Sequence, residues 1–213
     1  MWDFISDRLG QIAFSSWQHF SLVVQCVVLA TVISVGIAIL AYRNPTLSAL
    51  ANGVSAIGLT VPSFALIGIL IVPFGFGVVP AVIVVTFFAV LPILRNAVVG
   101  LKGVDPALVE SARGIGMSRV RTLLRVELPM AWPVILAGVR VSAQMVMGIA
   151  AVTAFALGPG LGGFIFSGLA RLGGANSLNS VITGVVAVII LALVLDLLLV
   201  VLGRLTISRG IHV

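Results

Sequence analysis

The chain has 213 residues, of which 61% are hydrophobic and 8% charged, and its mean hydropathy is +1.29. A soluble domain of this size cannot hide so much apolar surface, so the composition excludes that class and predicts a polytopic membrane protein. The formal net charge of +6 is no indication of a nucleic-acid partner here, because cationic loops of a membrane protein first report its orientation.

The first 19 residues carry a pattern typical of an interfacial helix. Trp2, Phe4 and Leu9 fall broadly on one side of a helix, whereas Asp3 and Arg8 lie elsewhere on it. A frayed tail is the alternative. We treat residues 1–19 as an N-terminal interfacial segment that contacts membrane lipid.

Five apolar runs follow, each long enough to cross a hydrocarbon core of about 30 Å, which takes about 20 residues. Polar residues, prolines and glycines separate them. The predicted spans cover residues 20–42, 47–72, 79–101, 129–157 and 179–202. The sequence therefore predicts an all-α fold with five transmembrane helices. The membrane domain comprises residues 20–204, and residues 205–213 form a cytoplasmic tail.

Prolines inside the spans release backbone groups that neighbouring helices or water must satisfy. Pro62 and Pro92 therefore mark helices near an interior, with a simple kink that shapes packing as the alternative. Charges inside spans also point to an interior, and we hypothesise that Arg140 and Asp196 approach each other or line one polar patch. Snorkelling of Arg140 and local capping by Asp196 are the alternative.

The candidate pathway or gating residues are thus the prolines, the charges and nearby polar or flexible side chains of the spans. For a methionine on a buried helix, ordinary packing is the alternative. The candidates are Pro62, Pro92, Asn96, Arg140, Gln144, Met145 and Asp196.

The longest polar passage covers residues 103–129. Asp105 and Pro106 predict the start of a short helix, which runs to about Gly114. Gly114 and Gly116 permit a sharp turn, after which residues 118–127 are expected to return as a second, basic amphipathic helix. Pro129 is then expected to end this passage and restart the chain in the membrane. We call residues 103–129 the elbow.

The distribution of Lys and Arg predicts that the elbow is cytoplasmic. That side also receives Arg43, Arg95, Lys102, Arg204 and Arg209, whereas the opposite side receives only Arg8 and Arg171. Since five crossings separate the two termini, the N-terminus is predicted outside and the C-terminus in the cytoplasm.

The sequence offers no catalytic set and no cluster of metal ligands. His19 and His212 lie at opposite ends, and the glycine-rich residues 158–163 lack the lysine of a phosphate-binding loop. We expect a protein that is not an enzyme and binds no cofactor or metal itself. Its energy would come from a gradient or from another subunit.

The elbow carries a recognisable signature. Glu110-Ser111-Ala112, Gly116 and Val126-Glu127-Leu128-Pro129 have the spacing of the EAA motif, and they resemble it in permease subunits of binding-protein-dependent ABC importers. Ser111 replaces the usual alanine, which is a small-for-small change. The sequences of residues 60–63, 91–96, 100–107 and 160–166 resemble those of the osmoprotectant branch of these permeases, which imports glycine betaine, choline, carnitine or proline betaine.

The resemblance implies a type I importer permease whose elbow is a coupling helix in a groove of an ATPase subunit. It implies coupling roles for Glu110, Ser111, Ala112, Gly116, Val126, Leu128 and Pro129. A pair of ATP-binding subunits would hold ATP and Mg, a second permease subunit, identical or paralogous, would complete the pathway, and an extracytoplasmic binding protein would deliver substrate. The expected location is the cytoplasmic (inner) membrane of a prokaryote.

Two other classes remain open at this point. A gradient-driven secondary transporter or small channel would also show broken helices and interior charges. A membrane-anchored scaffold would carry the same prolines and charges incidentally.

Overall fold

The computed structural model of the protein describes residues 1–207, which are helical and contain no β-strand, so the all-α prediction is confirmed. Residues 208–213 of the predicted tail, with Arg209 and His212, lie outside the described residues. The α-helices are α1 (Trp2–Ser6), α2 (Leu9–Ala41), α3 (Pro45–Gly58), α4 (Ser63–Phe74), α5 (Val78–Lys102), α6 (Pro106–Gly114), α7 (Arg119–Thr122), α8 (Leu128–Val152), α9 (Gly162–Leu169) and α10 (Ser177–Thr206).

Four helical segments are long and apolar enough to cross a membrane, namely α2, α5, the continuous stretch Arg119–Ala156 that contains α8, and α10. The predicted second span is broken. Helices α3 and α4 meet at 94°, and Pro62 caps the start of α4 in an extended conformation. A proline ring disfavours helix at the preceding residue and supplies no N–H, so the break falls there. Counted as one span, this pair gives the predicted total of five.

Helix α5 forms the centre of the bundle, between α2 and α8. It buries Ala81, Val85 and Ala89 completely, and Pro92 is also buried. In the turn before Pro92, the carbonyls of Ala89 and Val90 accept hydrogen bonds from hydroxyls of two neighbouring helices, Ser142 Oγ at 2.9 Å and Ser34 Oγ at 3.1 Å. Neighbouring helices therefore supply polar partners around this proline, as a proline in an apolar span requires.

The N-terminal residues are helical and fixed to the bundle. Phe4 is buried with Leu161 and Phe164. Helix α2 runs through residues 19 and 20 without interruption, so the segment 1–19 is structurally continuous with the first span. The fully buried His19 accepts from the Leu161 backbone N–H at Nδ1, 3.3 Å away, and its Nε2 lies 3.1 Å from the Met147 carbonyl oxygen. The frayed-tail alternative is not observed.

Helices α9 and α10 form a tight hairpin. Ser177 Oγ donates to the Gly168 carbonyl at 3.0 Å and Ser180 Oγ to the Phe164 carbonyl at 2.8 Å. A β-carbon on Gly168 would lie 2.7 Å from the Ser177 carbonyl oxygen, so glycine is required for this approach. The rest of α10 leaves most of its apolar surface uncovered.

Candidate functional site: the elbow and a polar cluster within the bundle

Helix α6 has the predicted bounds. Asp105 Oδ1 accepts from the Ala107 backbone N–H at 2.8 Å and Pro106 occupies the first helical position, which together fix the start of the helix. After α6 the chain turns at Gly116, whose φ is +86°. A side chain at that φ is strained, so the turn favours glycine.

Most of the elbow before Thr122 is exposed. On α6 only Ala112 is buried, whereas Glu110 and Ser111 are exposed, as is Gly116 in the turn. Apolar side chains are exposed as well, with 77% of Ile115 and 66% of Val120 uncovered. Helix α6 therefore contacts the bundle through the buried Ala112 and the half-buried Val109, and it presents most of its remaining surface outward.

The predicted second helix of the elbow is wrong in its boundary. Helix α7 continues through a π-helical turn, Leu123–Glu127, directly into α8. No new helix therefore begins at Pro129. The Leu128 N–H donates to the Leu123 carbonyl, five residues back. A proline ring clashes with the carbonyl four residues before it in an α-helix, and the wider π turn relieves that clash. Val126 and Leu128 are half-buried and Pro129 is exposed.

A buried carboxylate fastens this continuous helix to the end of α2. Glu127 is 2% exposed. It accepts from Tyr42 Oη at 2.5 Å and from Arg43 Nη2 at 2.7 Å. Burial alone would lower the pKa of Arg43, but the adjacent Tyr42 and Glu127 raise it. The guanidinium therefore stays charged and the carboxylate keeps its partner.

Sequence reasoning did not place Tyr42 and Arg43 in this site. The available signal was weak: a tyrosine and an arginine at a helix end, and a glutamate two residues before Pro129. Arg43 and Tyr42 lie 84 and 85 positions before Glu127 in the chain, so no local pattern reveals their contact with it.

The second polar feature joins α8 to α10. Arg140 binds Asp196 in a bidentate pair, with Nε to Oδ1 and Nη2 to Oδ2 both at 3.0 Å. Gln144, one turn further along α8, donates to Asp196 Oδ1 at 3.0 Å. The structure thus shows the contact that the sequence suggested, with both carboxylate oxygens satisfied. We call Arg140, Gln144 and Asp196 the polar cluster.

The remaining pathway candidates lie elsewhere. Pro62 is exposed at the bend before α4. Asn96 donates to the Pro92 carbonyl at 2.9 Å and packs against Gly138, where an added β-carbon would come within 2.6 Å of the Asn96 β-carbon. Met145 is half-buried against the main apolar core. Among residues 1–207, hydrogen bonds between side chains join Arg140, Gln144 and Asp196, whereas Asn96 bonds separately to the Pro92 carbonyl within α5.

In the described part of the chain, no group of three or more His, Cys, Asp or Glu residues could hold a metal ion.

Residues 30–208 match the family described as binding-protein-dependent transport system inner membrane component. This chain belongs to that family. The match extends from the middle of α2 to just beyond α10, so it includes the elbow, the Glu127 contact and the polar cluster. The resemblance seen in the elbow motif is confirmed.

Several relatives are similar over most of their length. The carnitine transport permease protein OpuCB of Listeria monocytogenes is 36% identical, and the alignment covers 91% of this chain and 87% of the relative. The choline transport system permease protein OpuBB of Bacillus subtilis is 36% identical, with 94% and 91% covered. The osmoprotectant import permease protein OsmW of Salmonella typhimurium is 37% identical, with 92% of both covered.

The fold also has a solved counterpart. An inward-facing structure of the MetNI methionine ABC transporter superposes with a TM-score of 0.74 over 97% of this chain and 99% of that one, at 20% identity. This similarity supports the type I importer permease fold for this family member.

Proposed function

We propose that this chain is the permease subunit of an ATP-driven importer that moves osmoprotectants of the quaternary ammonium type, such as glycine betaine, choline and carnitine, by alternating access. The relatives named for carnitine, choline and osmoprotectant transport support the substrate class. The observation that carries the mechanism is the exposed helix α6, held at one end of the bundle and joined through Gly116 to a helix that runs through the membrane.

The exposed surface of the elbow is better suited to contact with a groove of another protein than to contact with water. Ile115, Val120 and Leu108 leave 77%, 66% and 43% of their surface uncovered, and clustered exposed apolar side chains mark contact sites. Glu110 and Arg113 add charges beside them. We assign this surface to an ATP-binding subunit, which holds the ATP and Mg. Glu110, Ser111, Ala112 and Gly116 form the contact.

The elbow is connected to the bundle by a continuous helix and by side-chain contacts, so its movement would be transmitted to the bundle. Val126, Leu128 and Pro129 lie in or next to the π turn between α7 and α8, and Glu127 ties that turn to Tyr42 and Arg43. A push on α6 therefore acts on α8 and α2 together. Farther along, Arg140 and Asp196 transmit the motion from α8 to α10. Pro62, Pro92, Asn96, Gln144 and Met145 remain candidates for shaping the pathway.

The remaining subunits follow from the same proposal. A second permease subunit, identical or paralogous, completes the pathway, and the uncovered apolar surface of α10 is available to it or to lipid. A binding protein docks at the end of the bundle opposite the elbow. The elbow is cytoplasmic and the N-terminus outside, and a C-terminal reporter that fluoresces only in the cytoplasm tests this orientation; a dark fusion with normal expression contradicts it.

The decisive experiment is co-purification of the chain with its ATP-binding subunit in mild detergent. Glu110→Lys reverses the charge on the exposed face of α6, and we expect it to abolish co-purification and uptake. Glu110→Gln keeps the size and loses only the charge, so it serves as the matched control and retains the subunit. Intact co-purification in the lysine variant would refute the assigned contact.

The same preparation separates the proposal from its alternative. A gradient-driven transporter or channel predicts uptake of radiolabelled glycine betaine or choline without ATP and without a partner subunit. We expect uptake in proteoliposomes only when the ATP-binding subunit, ATP and the cognate binding protein are all present.

A further inference from the structure

A polar cavity of about 350 Å³ lies between the N-terminal segment and the α9–α10 hairpin. Arg8, Gln11 and Ser15 line it from one side, and Ser167, Arg171 and Asn176 line it from the other. The cavity is at the opposite end of α2 from Tyr42, and therefore opposite the elbow. Neither the coupling contact nor the polar cluster includes any of these residues.

The charged side chains that line the cavity are all positive. Its lining contains two guanidinium groups and no carboxylate. Neither Arg8 nor Arg171 forms an ion pair within residues 1–207, where the ion pairs are those of Arg43 and Arg140. The Arg8 guanidinium lies over the Phe4 ring, 4.3 Å from its centroid, and Phe4 is buried. Two guanidinium groups that line one cavity together with hydroxyl and amide donors suit the binding of an oxyanion.

The lengths of α2 and α10 place the cavity outside the hydrocarbon core, on the side of the headgroups. Helix α2 has 33 residues and is about 50 Å long at 1.5 Å per residue, whereas the hydrocarbon core is about 30 Å thick. Because Arg43 follows the other end of α2, most of the excess length falls at the start, where Arg8, Gln11 and Ser15 lie. Helix α10 likewise begins with the polar residues Ser177, Asn179 and Ser180.

The segments that line the cavity also expose large apolar side chains. Trp2 and Leu9 lie on the N-terminal side, and Leu172 and Leu178 on the other; between 59% and 79% of each is uncovered. A molecule with an anionic head and apolar chains matches both features.

We propose that this cavity binds the phosphate of an anionic phospholipid in the leaflet opposite the elbow. The phosphate oxygens accept hydrogen bonds from Arg8 and Arg171, and the acyl chains run down the exposed apolar side chains beside the cavity. Lipid bound there fastens the N-terminal segment to the α9–α10 hairpin. The proposal concerns the chain itself and does not depend on which osmolyte is carried.

Gly163 offers a clean perturbation, because it lines the cavity in the first turn of α9. A β-carbon there meets nothing within 4 Å, and a carboxylate is favourable near a helix N-terminus. Gly163→Asp therefore adds a negative charge to the cavity without disturbing the fold. Gly163→Asn adds the same shape without the charge and is the matched control.

The test titrates the purified full chain in neutral detergent with phosphatidylglycerol or phosphatidylcholine and counts bound lipids by native mass spectrometry. We expect phosphatidylglycerol to bind about tenfold more tightly, because both lipids carry a phosphate but the two guanidinium groups repel the choline ammonium of phosphatidylcholine. Gly163→Asn should keep that preference, whereas Gly163→Asp and the double variant Arg8→Gln/Arg171→Gln should lose it.

Four outcomes would overturn the proposal. Equal binding of the two lipids in the unaltered chain removes the anionic preference, and equal effects of Gly163→Asp and Gly163→Asn remove the charge argument. Displacement of phosphatidylglycerol by millimolar inorganic phosphate identifies a free anion as the ligand. Unchanged lipid binding in Gly163→Asp together with lost binding-protein docking assigns the cavity to a protein carboxylate instead.

Discussion

The ion pair between Arg140 and Asp196 is expected to clamp α10 onto α8, and a double-mutant cycle measures its strength. Arg140 lies 12 residues after Leu128 and Asp196 lies 10 residues before Thr206. At 1.5 Å per residue these distances are about 18 Å and about 15 Å from the same end of the bundle. Within the predicted spans 129–157 and 179–202, both charges therefore lie inside the hydrocarbon core, in the half nearer the elbow.

The cost of breaking the pair follows from this depth. Asp196→Ala leaves a guanidinium without its carboxylate inside the membrane, where an unpaired charge costs about 2.5–3.5 kcal/mol. The Arg140 and Asp196 side chains are 40% and 26% exposed, so snorkelling and solvent screening reduce the loss to about 2 kcal/mol. Removing both partners leaves no unpaired charge, and the double variant should lose about as much as either single variant.

Trp132 provides the reporter for this measurement. Its indole Nε1 donates to Thr206 Oγ1 across the α8–α10 contact at 2.7 Å, so its fluorescence follows separation of the two helices when Trp2 and Trp17 are replaced by phenylalanine. Unfolding in mixed micelles of dodecyl sulfate should give a coupling energy of about 2 kcal/mol for Arg140→Ala and Asp196→Ala.

A matched control tests the assignment of that energy. Gln144→Ala removes one donor to Asp196 and leaves the ion pair intact, so it should cost about 0.6 kcal/mol, the average of hydrogen bonds between membrane helices. Losses in the two charge variants that add within about 0.5 kcal/mol would refute the clamp.

Two further perturbations probe contacts that hold the elbow and the hairpin in place. Tyr42→Phe removes one of the two donors to the buried Glu127 and should destabilise the chain by about 1–3 kcal/mol in thermal unfolding followed by circular dichroism; an unchanged midpoint would show that the contact is dispensable. A β-carbon on Gly162 would overlap the Ala151 carbonyl oxygen, whereas one on Gly163 meets open space. Gly162→Ala should therefore cost about 1–3 kcal/mol and Gly163→Ala close to nothing in the same assay, and equal midpoints would contradict the packing of α9 on α8.

Local signals in the sequence were strong where chemistry is local. Asp105 and Pro106 begin α6 because a side-chain oxygen and a fixed φ suit the first turn of a helix, and the structure gives the helix its predicted bounds. Gly116 turns the chain because its φ of +86° excludes most other residues. Apolar runs of about 20 residues identified the spans, because a bilayer demands that length.

The same reasoning failed at Pro129, where a proline usually ends a helix. The π-helical turn before Pro129 makes room for the proline ring, so the helix Arg119–Ala156 stays continuous. The sequence shows the proline but not the bond between Leu128 and Leu123, because that register is chosen by packing of the whole segment and by the contact of Glu127 with α2.

By itself the sequence determined a helical membrane protein of five spans, counting the broken pair as one, with an exposed elbow and a family signature. These features could be predicted because hydropathy, helix caps and motif spacing depend on residues that are neighbours in the chain. Only the tertiary structure decided which distant groups meet. Glu127 contacts Tyr42 across 85 positions of the chain, and His19 contacts Leu161 across 142. Those pairings depend on how whole helices pack against each other, and no pattern along one helix encodes them.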